Sequence, residues 1–257
     1  MHDFWFWAVA VAIVFVVGLS KSGLVGSIGL IAVPALAFVM PARDATGMLL
    51  PVLLVMDAIA IWIYRKDANW RVLAIMLPGA LIGTLIGWLI WSVVTDQQVL
   101  LVVGIIILLF TLDALFPIRK RLENLPPSRG WGTFWGTVSG ITSFISHTGA
   151  PPYQIYTLPL RMTPTMFSAT SAFFFAIVNA MKLVPFYFLG QLSITNLEKS
   201  AILAPVGVAG VAAGVFLVRR ISAKAFYTIA YTLILLLGLK LTYDGFMGTF
   251  FPPVVAS

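Results

Sequence analysis

Long apolar stretches alternate with short polar ones along the chain. They lie at about residues 4–19, 24–39, 47–64, 72–91, 99–116, 132–145, 150–160, 165–188, 200–218 and 225–246. Several are long enough to cross about 30 Å of hydrocarbon at about 1.5 Å per residue. The pattern therefore predicts an all-α integral membrane protein, a helical bundle of about ten segments that cross or enter a lipid bilayer.

The apolar stretch at 150–160 is too short to span the bilayer as a helix. It is bracketed by Pro151, Pro152 and Pro159, which interrupt helices when they lie inside them. A helix of this length covers only about half of the hydrocarbon thickness. We therefore expect a half-helix or re-entrant segment here.

The two halves of the chain carry a weak internal repeat. Three residue pairs are 127 positions apart: Pro78 and Pro205, Gly83 and Gly210, and Gly87 and Gly214. The glycines at 79, 83 and 87, and at 207, 210 and 214, are predicted to form small-residue contacts between helices. Five apolar stretches then lie on each side of the polar stretch 117–131. This predicts a first transmembrane repeat at 1–116, a cytoplasmic connecting loop at 117–131 and a second transmembrane repeat at 132–257.

The basic residues support opposite orientations of the two halves. With the central loop in the cytoplasm, only Arg43 and Lys199 fall in loops on the outer side. The residues on the cytoplasmic side are Arg65, Lys66, Arg71, Arg119, Lys120, Arg121, Arg129, Arg161, Arg219, Arg220 and Lys224. This bias obeys the positive-inside rule, places both termini outside, and predicts inverted repeats, a recurrent plan of secondary transporters.

Composition confirms the membrane class and excludes several others. Hydrophobic residues make up 60% of the chain and charged residues 10%, with a mean hydropathy of +1.02; soluble domains carry about 25% charged residues. The net charge of +7 is spread over loops and forms no stripe that would bind nucleic acid.

The first apolar stretch is not predicted to be a cleaved signal peptide. No Lys or Arg precedes it and no small-residue cleavage site follows it, so we expect a helix that is retained in the protein. The chain has no cysteine and no metal-ligand or nucleophile motif, so neither an enzyme nor a cofactor is predicted.

Charged residues inside the apolar stretches are the first candidates for function. Lys21, Asp57 and Lys182 would each cost about 2.5–3.5 kcal/mol or more in lipid unless paired or hydrated. Lys240, by contrast, lies near a helix end and can reach the interface. Lys21 lies within a Gly- and Ser-rich break, GLSKSGLVGSIG, that suits an anion, although a solvated cytoplasmic hairpin is an equal alternative. Asp57 is predicted either to pair with a lysine or to titrate as a coupling site.

The second half carries the denser polar pattern, in SGITSFISHTGAPPYQIYTLPLR and FFFAIVNAMKLVPFY. Unwound backbone at depth in a membrane is tolerated where it lines a cavity, and a polar external loop is the alternative. Asn179 and Lys182 share one helix face, which we expect to point inward. The predicted substrate-binding residues are Lys21, Ser22, Ser146, His147, Gly149, Pro151, Asn179 and Lys182.

Over nearly its whole length the chain resembles the sulfite exporter TauE/SafE family of membrane permeases. The resemblance is carried by ISHTGAPPYQIYTLPLRM, by FFFAIVNAMKLVPFYFLGQLS and by the Gly-rich break in the first half, which reads SKSGLVGSIGLIAVP. It implies a multi-pass permease of the bacterial inner membrane for sulfite, an organosulfonate or a related oxyanion. A short carboxylate is kept as a further candidate substrate, and a homodimer is kept as a hypothesis.

Two kinds of function fit these patterns. The first is a secondary transporter for a small anion, using an electrochemical gradient. The second is a passive anion channel, or a membrane-embedded binding or sensing protein, without coupled transport. The polar residues cluster at two breaks with apolar helices around them, which favours the transporter.

Overall fold

The structure, a computed structural model, is described for residues 2–21, 28–95, 97–98, 101–102, 104–105, 108–109, 128–160, 162–218 and 223–251. The first half contains helices α1 (His2–Lys21), α2 (Ala32–Leu36), α3 (Ala42–Tyr64) and α4 (Trp70–Ile90). The second half contains α5 (Arg129–Ser146), α6 (Ala150–Thr157), α7 (Pro164–Phe188), α8 (Ile194–Val218) and α9 (Ala223–Phe250). Short 3-10 helices at Ile28–Ile31 and Leu158–Leu160 adjoin α2 and α6.

The described residues confirm the predicted all-α membrane protein. All of their regular structure is helical, and five helices are long and apolar enough to cross a membrane. These are Phe4–Lys21, Ala42–Tyr64, Trp70–Ile90, Thr165–Phe188 and Ile194–Gly214. Many of their large side chains, such as Trp62 and Leu89, are exposed on the protein and suit contact with lipid.

The second apolar stretch, expected at 24–39, differs from a continuous helix. Its described part is a single 3-10 turn followed by the five-residue helix α2, and residues 37–40 form turns. Pro41 lies directly before α3, and a residue preceding proline is disfavoured in helical geometry, so the chain turns here. The stretch at 150–160 is likewise short, with α6 spanning eight residues, as the sequence predicted.

The polar linker between the halves ends earlier than expected. Residues 129–131, assigned to the connecting loop, form the first turn of α5, because the Ser128 side chain accepts a hydrogen bond from the Trp131 amide and caps the helix. Residues 117–127 of that loop lie outside the described residues. Most of the expected apolar segment at 99–116 also lies outside the described residues.

Glycine-lined contacts join the first half to the second. α4 packs on α5, and a Cβ at Gly79 or Gly83 would lie 2.1 or 2.0 Å from carbonyl oxygens of α5. α1 packs on α8 in a similar way, and a Cβ at Gly210 would lie 2.4 Å from the Phe15 carbonyl oxygen. The prediction that these glycines form helix contacts is confirmed. α3 packs against both α7 and α8, so the interior of the bundle is built from both halves.

Candidate functional site

A charged network links the end of α1 to the middle of α3 and α7. Lys21, the last residue of α1, donates from Nζ to Asp57 Oδ1 and forms an ion pair with that carboxylate. Asn179 Nδ2 donates to Asp57 Oδ2 at 2.6 Å. Asp57 is only 1% exposed, and both of its oxygens accept a hydrogen bond. This pairing explains how a carboxylate is tolerated in an apolar helix.

A second network surrounds Lys182, one turn beyond Asn179. The Lys182 side chain is fully buried, and its Nζ donates to the Ser143 carbonyl oxygen at 3.0 Å and to Ser143 Oγ at 3.1 Å. Its third contact is His147 Nδ1 at 2.8 Å. An ammonium has three donors, so these contacts use its full capacity. Among the described residues, no carboxylate forms an ion pair with Lys182.

The contacts of His147 define which of its nitrogens carries the proton. His147 Nε2 lies 2.9 Å from the Thr46 carbonyl oxygen, which can only accept, so Nε2 carries a hydrogen. Nδ1 faces the Lys182 ammonium and therefore acts as the acceptor. His147 is thus a neutral imidazole that joins α3 to α7.

His147 also ends α5 in an unusual backbone conformation. Its φ is +56°, in the left-handed region that a residue with a Cβ adopts at a cost. The His147 amide donates to the Ser143 carbonyl oxygen, and the Thr148 amide donates to that of Thr142. The bond from the His147 amide is the single bond of the αL motif, which commonly ends a helix. The bonds of the imidazole to Thr46 and Lys182 hold the residue in this turn.

The two networks meet at a cavity between α1, α3, α5, α6 and α7. The cavity has a volume of about 80 Å³, which is room for several waters or a small polyatomic ion. Apolar side chains such as Leu49, Leu53 and Phe175 form part of the wall. The polar wall consists of Ser20, Lys21, Ser143, His147, Gln154, Ser168, Ser171 and Asn179.

The predicted binding residues that the structure describes lie in the cavity wall, behind that wall, or around the turn between α5 and α6. Lys21, His147 and Asn179 line the cavity, whereas Asp57 and Lys182 lie behind them as hydrogen-bond partners. Ser146, Gly149 and Pro151 are buried around the turn between α5 and α6. Ser22 lies outside the described residues.

The buried turn residues have structural contacts of their own. Ser146 Oγ lies 2.8 Å from Thr148 Oγ1, and Ser139 Oγ donates to the Gly149 carbonyl oxygen at 2.7 Å. A Cβ at Gly149 would lie 2.8 Å from the Ser139 carbonyl oxygen. The glycine therefore lets α6 start close against α5.

Five polar residues of the cavity were not among the predicted binding residues: Ser20 on α1, Ser143 on α5, Gln154 on α6, and Ser168 and Ser171 on α7. Within the described chain, the hydroxyls of Ser168 and Ser171 form no hydrogen bond, so both can serve a ligand. A signal existed for the serines, because positions 168, 171, 175 and 179 follow helical spacing on one face. Extending the Asn179 face toward the start of α7 would have found them.

The charges around this cavity suit an anion better than a cation. The charges of Lys21 and Asp57 cancel each other, which leaves the buried Lys182 without a carboxylate partner among the described residues. Hydroxyl and amide groups complete the wall. In the described part of the chain, no group of three His, Asp or Glu residues could hold a metal ion.

Comparison with known proteins agrees with the membrane architecture. No curated protein and no solved structure gives a significant match to the chain. The sequence model of one transporter family, described as sulfite exporter TauE/SafE, matches residues 10–241, which include all of the cavity residues named above. That match covers most of the chain and agrees with the multi-pass helical fold. The chain therefore belongs to the sulfite exporter TauE/SafE family.

Proposed function

We propose that the protein is a secondary transporter that carries a small oxyanion, such as sulfite or an organosulfonate, across the bacterial inner membrane. The observation that carries the proposal is the fully buried amino group of Lys182 beside a polar cavity. A buried charge without a counterion is costly, and an anion in the cavity would supply the missing charge. Membership of a sulfite exporter family supports the same substrate class.

The direct ligands in this proposal are donors that face the cavity. Lys21 uses one donor for Asp57, which leaves the rest of its ammonium for an anion. Asn179, Ser168 and Ser171 add neutral donors from one face of α7. These groups would replace part of the hydration shell that an oxyanion loses on entering the membrane.

Lys182 and His147 act mainly as positioning residues in this proposal. Lys182 contributes positive potential from behind the imidazole, and its three contacts fix the His147 ring at the cavity wall. The first residue of α6, Ala150, also lines the cavity, so the positive end of that helix dipole adds to the potential. Pro151 and Pro152 suit the first turn because its amides need no helical partner.

Alternating access fits the placement of the breaks. α1 and α5 both end at the cavity, and each is followed by a short helical segment. Transporters built from inverted repeats place broken helices at a midplane site and expose it to each side in turn. We infer the same arrangement here, with the central loop in the cytoplasm, both termini outside and no catalytic step.

Counterflow in liposomes tests the proposal. Purified protein is reconstituted into vesicles loaded with unlabelled sulfite, which are diluted into buffer with a trace of radiolabelled sulfite. A carrier gives a transient accumulation of label above its equilibrium level, whereas a channel gives equilibration alone. Vesicles without protein and vesicles without internal sulfite are the controls. If sulfite, methanesulfonate and acetate all fail to produce counterflow, the proposal is wrong.

A further inference from the structure

The charges around the cavity add up to a single excess positive charge. Lys21 and Lys182 each contribute one positive charge, Asp57 contributes one negative charge, and His147 is neutral by its hydrogen bonds. α6 contributes no charged side chain, since its only ionisable groups are the phenols of Tyr153 and Tyr156. The stretch 22–27 that follows Lys21 contains no ionisable residue in its sequence.

The other charged residues on α1, α3 and α8 do not line the cavity. Lys199 on α8 contacts the Phe6 ring, fifteen residues before Lys21 on α1, which corresponds to about 20 Å along the helix. Arg43 and Asp44 are adjacent in the first turn of α3 and carry opposite charges, so together they add no net charge. Arg43 donates to the carbonyl oxygens of Trp91 and Val94. These groups leave the charge balance at the cavity unchanged.

We propose that Asp57 sets the valence of the transported anion, so that the cavity accepts a singly charged oxyanion and discriminates against a doubly charged one. The inference rests on the proposed function and specifies its substrate class as hydrogensulfite- or sulfonate-like. A monoanion neutralises the single excess charge, whereas a dianion leaves a net negative charge in a region of low dielectric constant. Asp57 produces this selectivity because its negative charge cancels the positive charge of Lys21. Asn179, in the second half of the chain, holds the carboxylate in place.

Methanesulfonate and sulfate are suitable probes for this inference. Both are tetrahedral and similar in size, and at neutral pH they carry one and two negative charges. Calorimetry on the purified protein at fixed pH and ionic strength gives the ratio of their dissociation constants. We expect the wild type to bind methanesulfonate about tenfold or more tightly than sulfate, since charge mismatches at desolvated sites are strongly penalised.

Two variants test whether Asp57 is the cause. Asp57→Asn keeps the shape of the side chain but raises the excess charge to two, so the ratio should shift toward sulfate by about tenfold or more. The double variant Lys21→Gln/Asp57→Asn removes the ion pair as a unit, which buried pairs often tolerate. It restores a single excess charge, so its ratio should return to the wild-type value even if both affinities fall. Asp244→Asn is the matched control, because that carboxylate pairs with Lys240 on α9 and does not line the cavity.

Each result of this experiment has a defined meaning. If neither anion binds the wild type and counterflow is also absent, the proposed function fails and the inference fails with it. If the wild type binds sulfate as well as methanesulfonate, the valence inference is wrong while the transporter proposal stands. The same holds if the ratio is unchanged in Asp57→Asn. Should that single variant fail to fold, a double variant that departs from the wild-type ratio would overturn the inference.

Discussion

At the scale of single residues, Lys182 offers the sharpest test of the site. Lys182→Ala removes a buried charge and leaves His147 Nδ1 without its donor. Losing one hydrogen-bonded charge at a buried site should cost about 2–5 kcal/mol, so methanesulfonate affinity should fall by tens-fold or more. The control is Lys240→Ala, because Lys240 is 51% exposed and pairs with Asp244 near a helix end. Equal affinities of the two variants in calorimetry would contradict a role for Lys182.

His147 allows its backbone and its side chain to be tested separately. His147→Ala and His147→Gly both lose the imidazole contacts to Thr46 and Lys182. Only the alanine variant retains a Cβ at a φ of +56°. The glycine variant should therefore be more stable than the alanine variant by about 1 kcal/mol, measured by denaturant unfolding in detergent. Equal stabilities would mean that the turn relaxes when the imidazole is lost.

The sequence identified the charged residues of the cavity site better than the neutral ones. Lys21, Asp57 and Lys182 stood out because a charge in an apolar helix has a large cost that requires an explanation. Ser168 and Ser171 have no such cost, since a serine in a membrane helix can satisfy itself on its own backbone. The sequence also did not show which residues form hydrogen bonds or ion pairs with these charged groups. The bond between Asp57 and Asn179 joins positions 122 residues apart.

At the scale of helices, Gly83 tests the contact between α4 and α5. A Cβ at Gly83 would lie 2.0 Å from the Thr137 carbonyl oxygen, and backbone cannot move aside as a flexible side chain can. Gly83→Ala should therefore destabilise the protein by about 1–3 kcal/mol. Gly130→Ala is the matched control, because a Cβ there meets nothing within 4 Å and alanine favours the helix. The helix contact is refuted if the two variants unfold at the same denaturant concentration.

The residues at the helix ends determine how well each helix could be predicted from the sequence. α3 and α7 were anticipated to within a few residues because both are long and apolar and begin next to a proline. The apolar pattern predicts a single segment at 24–39, because apolar runs of this length do not distinguish a continuous helix from a broken one. The glycine pattern in α4 predicted a close contact, but it carried no information that the partner would be α5.

At the scale of the whole molecule, the inverted relation of the two halves remains a prediction. Two features support it: α1 packs on α8 while α4 packs on α5, and each half begins with a long helix followed by a short one. In both contacts, the first helix of one half meets the fourth helix of the other half. A two-fold axis between the halves generates this pairing, and inverted repeats place that axis in the membrane plane.

Cysteine labelling in cells can determine the orientation directly, because the chain has no cysteine of its own. Lys66 and Ser193 are both exposed, lie in loops, and are 127 positions apart, which is the offset of the repeat. If the halves are inverted, equivalent positions must face opposite sides of the membrane. We therefore expect a membrane-impermeant maleimide to label Ser193→Cys in intact spheroplasts, and Lys66→Cys only after the membrane is permeabilised. Labelling of both variants from the same side would instead relate the halves by an axis along the membrane normal. The positive-inside assignment, and with it the alternating-access proposal for the cavity, would then have to be abandoned.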